Sequence, residues 1–132
     1  MYRTFIASIA FALALPAGAE TIVSPSEFEA LSRGKTMYFS RNGQFYGAEQ
    51  FYQSRRSLWQ YTDGECSDGE WFARGDMVCF VYDHDPTPQC WHFLEKSGGY
   101  AARAEGATAE FDIEMFKIDD EPLDCKGPSV GA

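Results

Sequence analysis

The stretch that decides the fold is GEWFARGDMVCFVYDHDPTPQCWHF, residues 69 to 93. Aromatic and β-branched residues, which favour strands, alternate here with two turn signals, Arg74-Gly75-Asp76 and the segment from Asp83 to Pro88. The pattern predicts a strand, a tight turn, a strand, a proline-bearing loop and a strand. A cysteine stands on each side of that loop. The stretch therefore predicts a disulfide-stapled antiparallel sheet, and it contains no recognisable catalytic constellation.

The rest of the chain has the same strand-forming character apart from one helix. Ser24-Pro25-Ser26-Glu27 is a capping-box pattern that predicts a helix over residues 25 to 33. Asn42-Gly43 is a strong hairpin signal. The predicted strands are 36–40, 44–48, 57–62, 70–73, 77–82, 89–95, 100–104 and 111–115, with turns that include Gly98-Gly99. About seven or eight short strands indicate an all-β fold, a small antiparallel meander or barrel with one N-terminal helix.

The first 19 residues have the features of an export signal. Arg3 precedes an apolar run from Thr4 to Leu15, and the small residues from Pro16 to Ala19 suit cleavage before Glu20. The run is too short for a comfortable permanent membrane anchor. We expect a periplasmic or secreted protein whose residues 20–132 form one β-rich domain without an integral membrane anchor.

The charge balance is strongly acidic. The chain has 11 Lys and Arg against 20 Asp and Glu, and removal of Arg3 with the signal leaves 10 basic side chains. Such a surface repels nucleic acid, so we expect no nucleic-acid partner. Part of the acidity lies in a loop from Asp63 to Gly69, and part in a C-terminal tail that begins at about residue 119.

Export decides how the four cysteines are interpreted. An even number in a short secreted chain predicts disulfides, and four cysteines allow three pairings. Cys79 and Cys90 stand on strands of one hairpin, where an antiparallel register places them opposite each other within disulfide distance. Cys66 and Cys125 then join the acidic loop to the tail. The same alternation places the aromatic residues around Cys79 and Cys90 on the opposite face, as a core cluster.

Several short motifs resemble a family of uncharacterised small exported proteobacterial proteins. They are Gly34-Lys35-Thr36, the Asn-Gly hairpin, Gly69-x-Trp71, Gly75-Asp76-x-Val78-Cys79, the later Cys90 and the glycine before Tyr100. The resemblance covers about residues 28 to 103. It implies the fold and the Cys79–Cys90 pairing, and it implies no activity. The acidic loop with Cys66 and the tail with Cys125 depart from the family pattern.

Aromatic residues make up 16% of the chain, more than a solubilising surface needs. The structural interpretation is a barrel core filled by large side chains. The functional interpretation is a barrel mouth that accepts a small apolar ligand or a partner's side chain. The residues expected at that mouth are Tyr38, Tyr46, Tyr52, Trp59, Tyr61 and Tyr82.

The loop between Cys79 and Cys90 is the second candidate binding element. Pro86-Thr87-Pro88 makes it rigid, and a rigid loop loses little conformational freedom on binding. We expect His84, Asp85, Pro86 and Pro88 to contact a partner protein of the cell envelope.

The sequence contains few signals of metal binding or catalysis. The acidic loop and the residues Asp119, Asp120, Glu121 and Asp124 are dense in carboxylates, but without EF-hand spacing. Arg74-Gly75-Asp76 has the letters of the integrin-binding tripeptide, but the need for a Gly-Asp turn between two strands explains it. No nucleophile–base motif or His-Glu-x-x-His zinc motif occurs, so we expect no catalytic residues, metal or cofactor. The expected function is a non-catalytic exported accessory protein, inhibitor-like in its use of the Asp83 to Gln89 loop; the alternative is a carrier of a small apolar ligand.

Overall fold

The computed structural model describes residues 8–13 and 19–126. Helix α1 spans Pro25–Ser32, and a 3₁₀ helix, Ala109–Phe111, precedes the last strand. The strands are β1 (Thr21–Val23), β2 (Thr36–Arg41), β3 (Gln44–Phe51), β4 (Arg56–Gln60), β5 (Cys66–Arg74), β6 (Met77–Tyr82), β7 (Asp85–Lys96), β8 (Gly99–Ala104) and β9 (Ile113–Asp119).

Eight strands, β2 to β9, form a closed antiparallel barrel. Each strand pairs with the next along the chain, and β9 pairs back with β2. Strand β7 is long enough to pair with β6 through its first half and with the short β1 through its second half. Closure leaves the barrel without a free edge, which explains how so many short strands are stable together. The predicted all-β barrel with one helix is confirmed.

Helix α1 contributes one aromatic side chain to the barrel interior. Its amide at Glu27 donates to Ser24 Oγ at 3.2 Å, and Pro25 occupies the first turn, as the capping pattern predicts. Phe28 is completely buried, with ring centroids 5.3 Å from Phe51 and 5.2 Å from Trp71. The predicted helix is confirmed to within one residue of its end.

The hydrophobic core fills the barrel around Phe28. Its members alternate along the strands, as expected where one sheet face is enclosed. The buried core residues are Val23, Phe28, Met37, Phe39, Phe51, Trp71, Val78, Phe80, Phe93, Ala102 and Ile113.

The hairpin between β2 and β3 turns at Asn42 and Gly43. Their φ angles are 50° and 75°, the left-handed region that a two-residue hairpin of this type requires. The turn predicted at Gly98-Gly99 begins one residue earlier, at Ser97, because Gly99 already pairs with Lys96.

Both predicted disulfides are confirmed. Cys79 and Cys90 are direct partners in the β6–β7 register, and Cys66 is bonded to Cys125. Val78 and Phe80, the neighbours of Cys79, face the core as predicted. His92 is hydrogen bonded to Asp76 at 2.9 Å, between its Nε2 and Oδ1.

The acidic tail after β9 lies against β2, β3 and β4 and is anchored beyond its disulfide. Side chains on those strands and the turn after β4 supply the contacts. They are Thr36 Oγ1 to Glu121 O (2.6 Å), Leu123 N to Gln50 Oε1 (2.8 Å), Gln60 Nε2 to Asp124 O (2.7 Å) and Lys126 N to Gly64 O (2.7 Å). The last part of the predicted tail, residues 127–132, lies outside the described residues.

An ion-pair network joins the 3₁₀ helix to the outside of the barrel. Asp112, with its side chain only 3% exposed, accepts from Lys96 at 2.7 Å and from Arg103 at 2.8 Å. Burial alone would raise the pKa of Asp112, but the hydrogen bonds from Arg103 and Lys96 hold it below its usual value. Arg103 also contacts Glu20 at 3.0 Å, so the network includes the residue just before β1.

The predicted loop from Asp83 to Pro88 is wrong in its length. Only Asp83 and His84 form the turn, because Tyr82 already pairs with Asp85. The two prolines are accommodated within β7 by a register irregularity opposite β6, where the ladder is interrupted. The Thr87 amide donates instead to Asp85 Oδ1 at 2.9 Å.

Other strand ends also differ from the predictions. The acidic loop is shorter than expected, because β5 already begins at Cys66, opposite Gln60. The last strand begins at Ile113, whereas Phe111 belongs to the 3₁₀ helix and is 54% exposed. Strand β1 was not predicted, since three residues give no periodic signal and depend on β7 for pairing.

The predicted export signal is only partly described. Residues 14–18, which include most of the expected cleavage region, lie outside the described residues. The apolar side chains of Ile9, Phe11 and Leu13 are exposed and belong to no helix or strand.

Candidate ligand-binding site

The barrel interior contains a cavity of about 300 Å³. Its inner wall is made by Phe51, Phe80 and Phe93, which also contact the ring of Phe28 from α1. The cavity thus begins where the helix-filled part of the core ends. The remaining lining residues come from seven strands and the turn after β4; they are Phe39, Tyr46, Glu49, Trp59, Tyr61, Thr62, Tyr82, Gln89, Trp91, Ala102 and Ile113.

Two strand glycines make room for two of the lining rings. A Cβ at Gly47 would overlap the ring of Trp59 on the neighbouring strand. A Cβ at Gly69 would stand 2.8 Å from the Tyr82 ring and 3.1 Å from Ser57 Oγ. Glycine inside a strand often marks such a close approach. The two rings therefore turn inward over glycines and line the cavity.

Glu49 is the one acidic side chain in this lining, and it is 2% exposed. It stands on β3 directly opposite Trp59 of β4. Its two carboxyl oxygens lie 2.9 Å and 2.8 Å from the Tyr82 hydroxyl oxygen. The phenol proton can be donated to only one of them at a time. A protonated carboxyl would donate its own proton to the Tyr82 oxygen, and both contacts would then be hydrogen bonds.

Burial raises the pKa of Glu49 to about 8, because the charged form loses its hydration. The hydrogen bond from Tyr82 acts in the opposite direction but is outweighed. Ser57 is near enough to lower the pKa slightly, yet its buried hydroxyl has no well-formed hydrogen bond within the described chain. Burial and the neighbouring Glu49 also raise the pKa of Tyr82. The pair therefore favours the uncharged form near neutral pH.

The rim of the cavity is held by hydrogen bonds to His84. Its Nε2 lies 3.1 Å from the Tyr61 hydroxyl and its Nδ1 lies 2.8 Å from Ser67 Oγ. The His84 ring also stacks near Tyr82, with 6.2 Å between ring centroids. The β6–β7 turn is thereby attached to the end of β4 and to β5.

The structure brings together part of the predicted binding set. Trp59 and Tyr61 line the cavity, and His84 holds its rim through Tyr61. Asp85 begins β7 beside that turn, and its charge contributes to a raised pKa of Tyr61, of which burial is the main cause. Pro86 and Pro88 are exposed in β7 and do not line the cavity.

Two of the six aromatic residues expected at the mouth are elsewhere. Tyr38 lies on the outer face, 6.2 Å from Phe116 between ring centroids and beneath the Lys117 ammonium. Tyr52 follows β3 and is 43% exposed. Their placement was wrong because β2 presents Phe39, not Tyr38, to the interior, and because Tyr52 lies beyond the last paired residue of β3. Tyr46 and Tyr82 do line the cavity.

Glu49 was missed by the sequence analysis. The predicted strand ended at Ala48, one residue too early to include it. A usable signal was present, because Gly47, Glu49 and Phe51 alternate on one face of β3 and Phe51 is an obvious core residue. Extending the period-two pattern by three residues would have placed a carboxyl inside the barrel.

The acidic loop and tail are joined by the Cys66–Cys125 disulfide. Within residues 8–13 and 19–126, no three His, Cys, Asp or Glu side chains converge in a way that could hold a metal ion. Gly75 and Asp76 form the tight turn between β5 and β6, with φ of 58° at Gly75, and Arg74 is the last residue of β5.

Comparison with known proteins does not assign this barrel to a family. No family model matches the chain, and no curated protein or solved structure matches it either. The resemblance to small exported proteobacterial proteins therefore stays a prediction. None of the helices in the described part of the chain is long and apolar enough to cross a membrane.

Proposed function

We propose that this protein is a non-catalytic binding protein that holds a small, largely apolar ligand in the barrel cavity. The observation that carries this proposal is the aromatic-lined space of about 300 Å³ beyond the helix-filled core. Protein interiors are normally packed to crystal-like density, so a space of this size is an exception. It is at the lower end of the volumes typical of ligand sites.

The chemistry of the lining indicates the kind of ligand. Phe39, Trp59 and Trp91 offer ring faces and edges, which favour apolar or aromatic groups. Glu49 and Tyr82 add a polar pair that can orient one end of the ligand. The volume suits a compound of one to three rings.

The observed hairpin gives less support to an inhibitor-like role. That role was expected to use a protruding loop from Asp83 to Gln89, but the connection is a two-residue turn attached to the barrel rim by His84. We therefore locate binding inside the barrel, and we assign the turn to the rim of the same site.

We also propose that the protein is exported and acts in the periplasm or outside the cell. The signal-like N-terminus and two disulfides support this, since disulfides persist in oxidising compartments. The intact mass of the protein isolated from its own cells should correspond to a chain that begins at Glu20. A mass that retains residues 1–19 would contradict the proposal.

Ligand binding is tested with the uncharged fluorescent probe N-phenyl-1-naphthylamine. The probe should bind the full mature protein with a blue-shifted emission and should receive excitation energy from Trp59 and Trp91. Ala102 lines the cavity and is buried, so Ala102→Leu should fill part of it and weaken binding by about tenfold or more.

Ala109→Leu is the matched control, because Ala109 is exposed in the 3₁₀ helix and is not one of the lining residues. It should bind the probe as the unaltered protein does. Equal binding by both variants, with both still folded by circular dichroism, would show that the probe does not occupy the cavity.

A further inference from the structure

We propose that the cavity recognises small organic cations: amines whose ammonium group contacts Glu49 while their apolar part packs against Trp59 and its aromatic neighbours. This inference rests on the proposed function and names the class of ligand. It is carried by a buried carboxyl that faces a cavity, by the aromatic walls around it and by the charges at the entrance.

The carboxyl of Glu49 has no cationic partner within the described residues. No Lys, Arg or His nitrogen lies within 4.0 Å of its oxygens, although the other buried carboxylate, Asp112, is paired with both Lys96 and Arg103. A carboxylate without a counter-charge is costly to bury, so the empty site favours the neutral acid and the charged form requires a cation. The retention of Glu49 in a wall of the cavity is explained if the counter-charge arrives with the ligand.

The walls next to Glu49 are suited to a cation. Trp59 is the direct cross-strand neighbour of Glu49, and the rings of Tyr46 and Tyr61 approach Trp59 at 5.9 Å and 6.4 Å between centroids. Tryptophan and tyrosine attract ammonium groups through the negative potential of their ring faces. An ammonium here would be held by one carboxyl and several rings, while the carbon skeleton of the amine fills the remaining space.

Two carboxylates and one guanidinium lie near Tyr61 and Tyr46 of the cavity lining. Asp63 and Asp85 are near enough to Tyr61 to raise the pKa of that phenol, after the larger effect of burial. The opposing charge is Arg41, whose guanidinium lies 4.7 Å from the centroid of the Tyr46 ring. The whole chain has a net charge of −9, which increases the local concentration of cations.

Amine binding should be coupled to release of a proton. The groups that lie near Glu49 on the surrounding strands and the turn after β4 are Ser57, Trp59, Tyr46, Tyr61 and Tyr82, side chains of types that carry no charge near neutral pH. Burial raises the pKa of Glu49 to about 8, so the empty site is mostly protonated at pH 7. Ammonium binding needs the carboxylate, and amine affinity should therefore increase roughly tenfold per pH unit up to about pH 8.

The test uses three probes with the same apolar part: 2-phenylethylamine, 2-phenylethanol and 3-phenylpropionate. Binding to the mature protein and to Glu49→Gln is measured by calorimetry at pH 6.5 and 7.5. The unaltered protein should prefer the amine over the alcohol by about tenfold, with more preference at the higher pH. Glu49→Gln keeps the size of the side chain and should bind amine and alcohol equally. Titration in two buffers of different ionisation enthalpy should show proton release only with Glu49 present.

Each other outcome contradicts the inference in an identifiable way. Equal binding of amine and alcohol by both proteins would overturn it and leave the proposed function standing. Preference for 3-phenylpropionate would overturn it and indicate that Arg41 dominates. Glu49→Gln that still prefers the amine would show that the carboxylates near Tyr61, Asp63 and Asp85, determine selectivity. If none of the probes bound, and N-phenyl-1-naphthylamine failed too, the proposed function itself would be overturned.

Discussion

Glu49 shows how one residue acquires its chemistry from its place in the barrel. In an unfolded chain it is an ordinary carboxyl, but in the folded protein it stands among rings and accepts from one phenol. When the carboxyl is neutral, both of its contacts with the Tyr82 hydroxyl can be hydrogen bonds. Folding therefore increases the affinity of this group for its proton, and the stability of the protein must depend on pH through Glu49.

The sign of this dependence follows from the raised pKa. Below about pH 4.5, Glu49 is protonated in both states and its contribution is fully present. Between about 4.5 and 8 the unfolded chain releases the proton while the folded chain keeps it, so stability falls as pH rises. The loss is about 1.4 kcal/mol per pH unit at most and ends once the folded group titrates.

Glu49→Gln removes this titration, so we expect the variant to gain stability relative to the unaltered protein as pH rises from 5.5 to 7.5. The expected relative gain is on the order of 2 to 3 kcal/mol, measured by urea denaturation at both pH values. Groups with a lowered pKa, such as Asp112, contribute stability that is lost as the pH falls. Both proteins contain these groups, so their effect cancels in the comparison. A stability difference independent of pH would mean that Glu49 titrates normally.

At the scale of elements, α1 determines where the barrel is filled and where it is open. It is only eight residues long, too short to be stable alone, and it depends on the burial of Phe28. That ring lies 4.3 Å from Phe93 and 6.4 Å from Phe80 between centroids. These partners also form the inner wall of the cavity, so the helix supports the ligand site from behind.

Phe28→Ala should destabilise the protein by about 3 to 5 kcal/mol, because it removes a fully buried ring and leaves a space that the rigid barrel cannot close. The same change at Phe116, which is 57% exposed on the outer face, should cost within about 0.5 to 1 kcal/mol. Urea denaturation of the two variants measures the difference. Equal costs would show that α1 does not depend on Phe28.

The whole molecule is a closed meander to which a C-terminal segment is fastened from outside. The Cys66–Cys125 bond has a sequence separation of 59, against 11 for Cys79–Cys90. In the chain-entropy description the two contribute about 4 and about 3 kcal/mol. The short-range bond reinforces a hairpin that the sheet already holds, whereas the long-range bond holds a segment that is otherwise attached by separate hydrogen bonds and not by a strand ladder.

Cys66→Ala/Cys125→Ala should therefore release the tail before it affects the barrel. Hydrogen exchange of the Lys126 and Leu123 amides, which donate to Gly64 and Gln50, should become at least about tenfold faster relative to the exchange of barrel amides. Cys79→Ala/Cys90→Ala is the matched control and should leave this ratio unchanged. Unchanged protection of both tail amides in the first variant would show that hydrogen bonds alone hold the tail.

Local patterns in the sequence accounted for much of the fold and for part of the site. Asn42-Gly43 specifies its turn through left-handed backbone angles, and the capping box specifies the start of α1, because both signals act over a few residues. The pairing of Cys79 with Cys90 followed from hairpin register. Trp59 and Tyr61 were identified as candidate lining residues from aromatic content alone.

Only the tertiary structure decided barrel closure, the position of the cavity and the role of Glu49. The β9–β2 pairing joins residues some 80 positions apart, as in Thr36 opposite Asp119, and no local pattern encodes it. The position of the cavity depends on the combined volume of Phe28, the inward-facing rings and the small residues opposite them. A carboxyl acquires a raised pKa only when those elements together exclude water. Sequence alone determined the alternating strands, their turns and the stapled hairpin, because those preferences are local, whereas closure and burial are properties of the assembled chain.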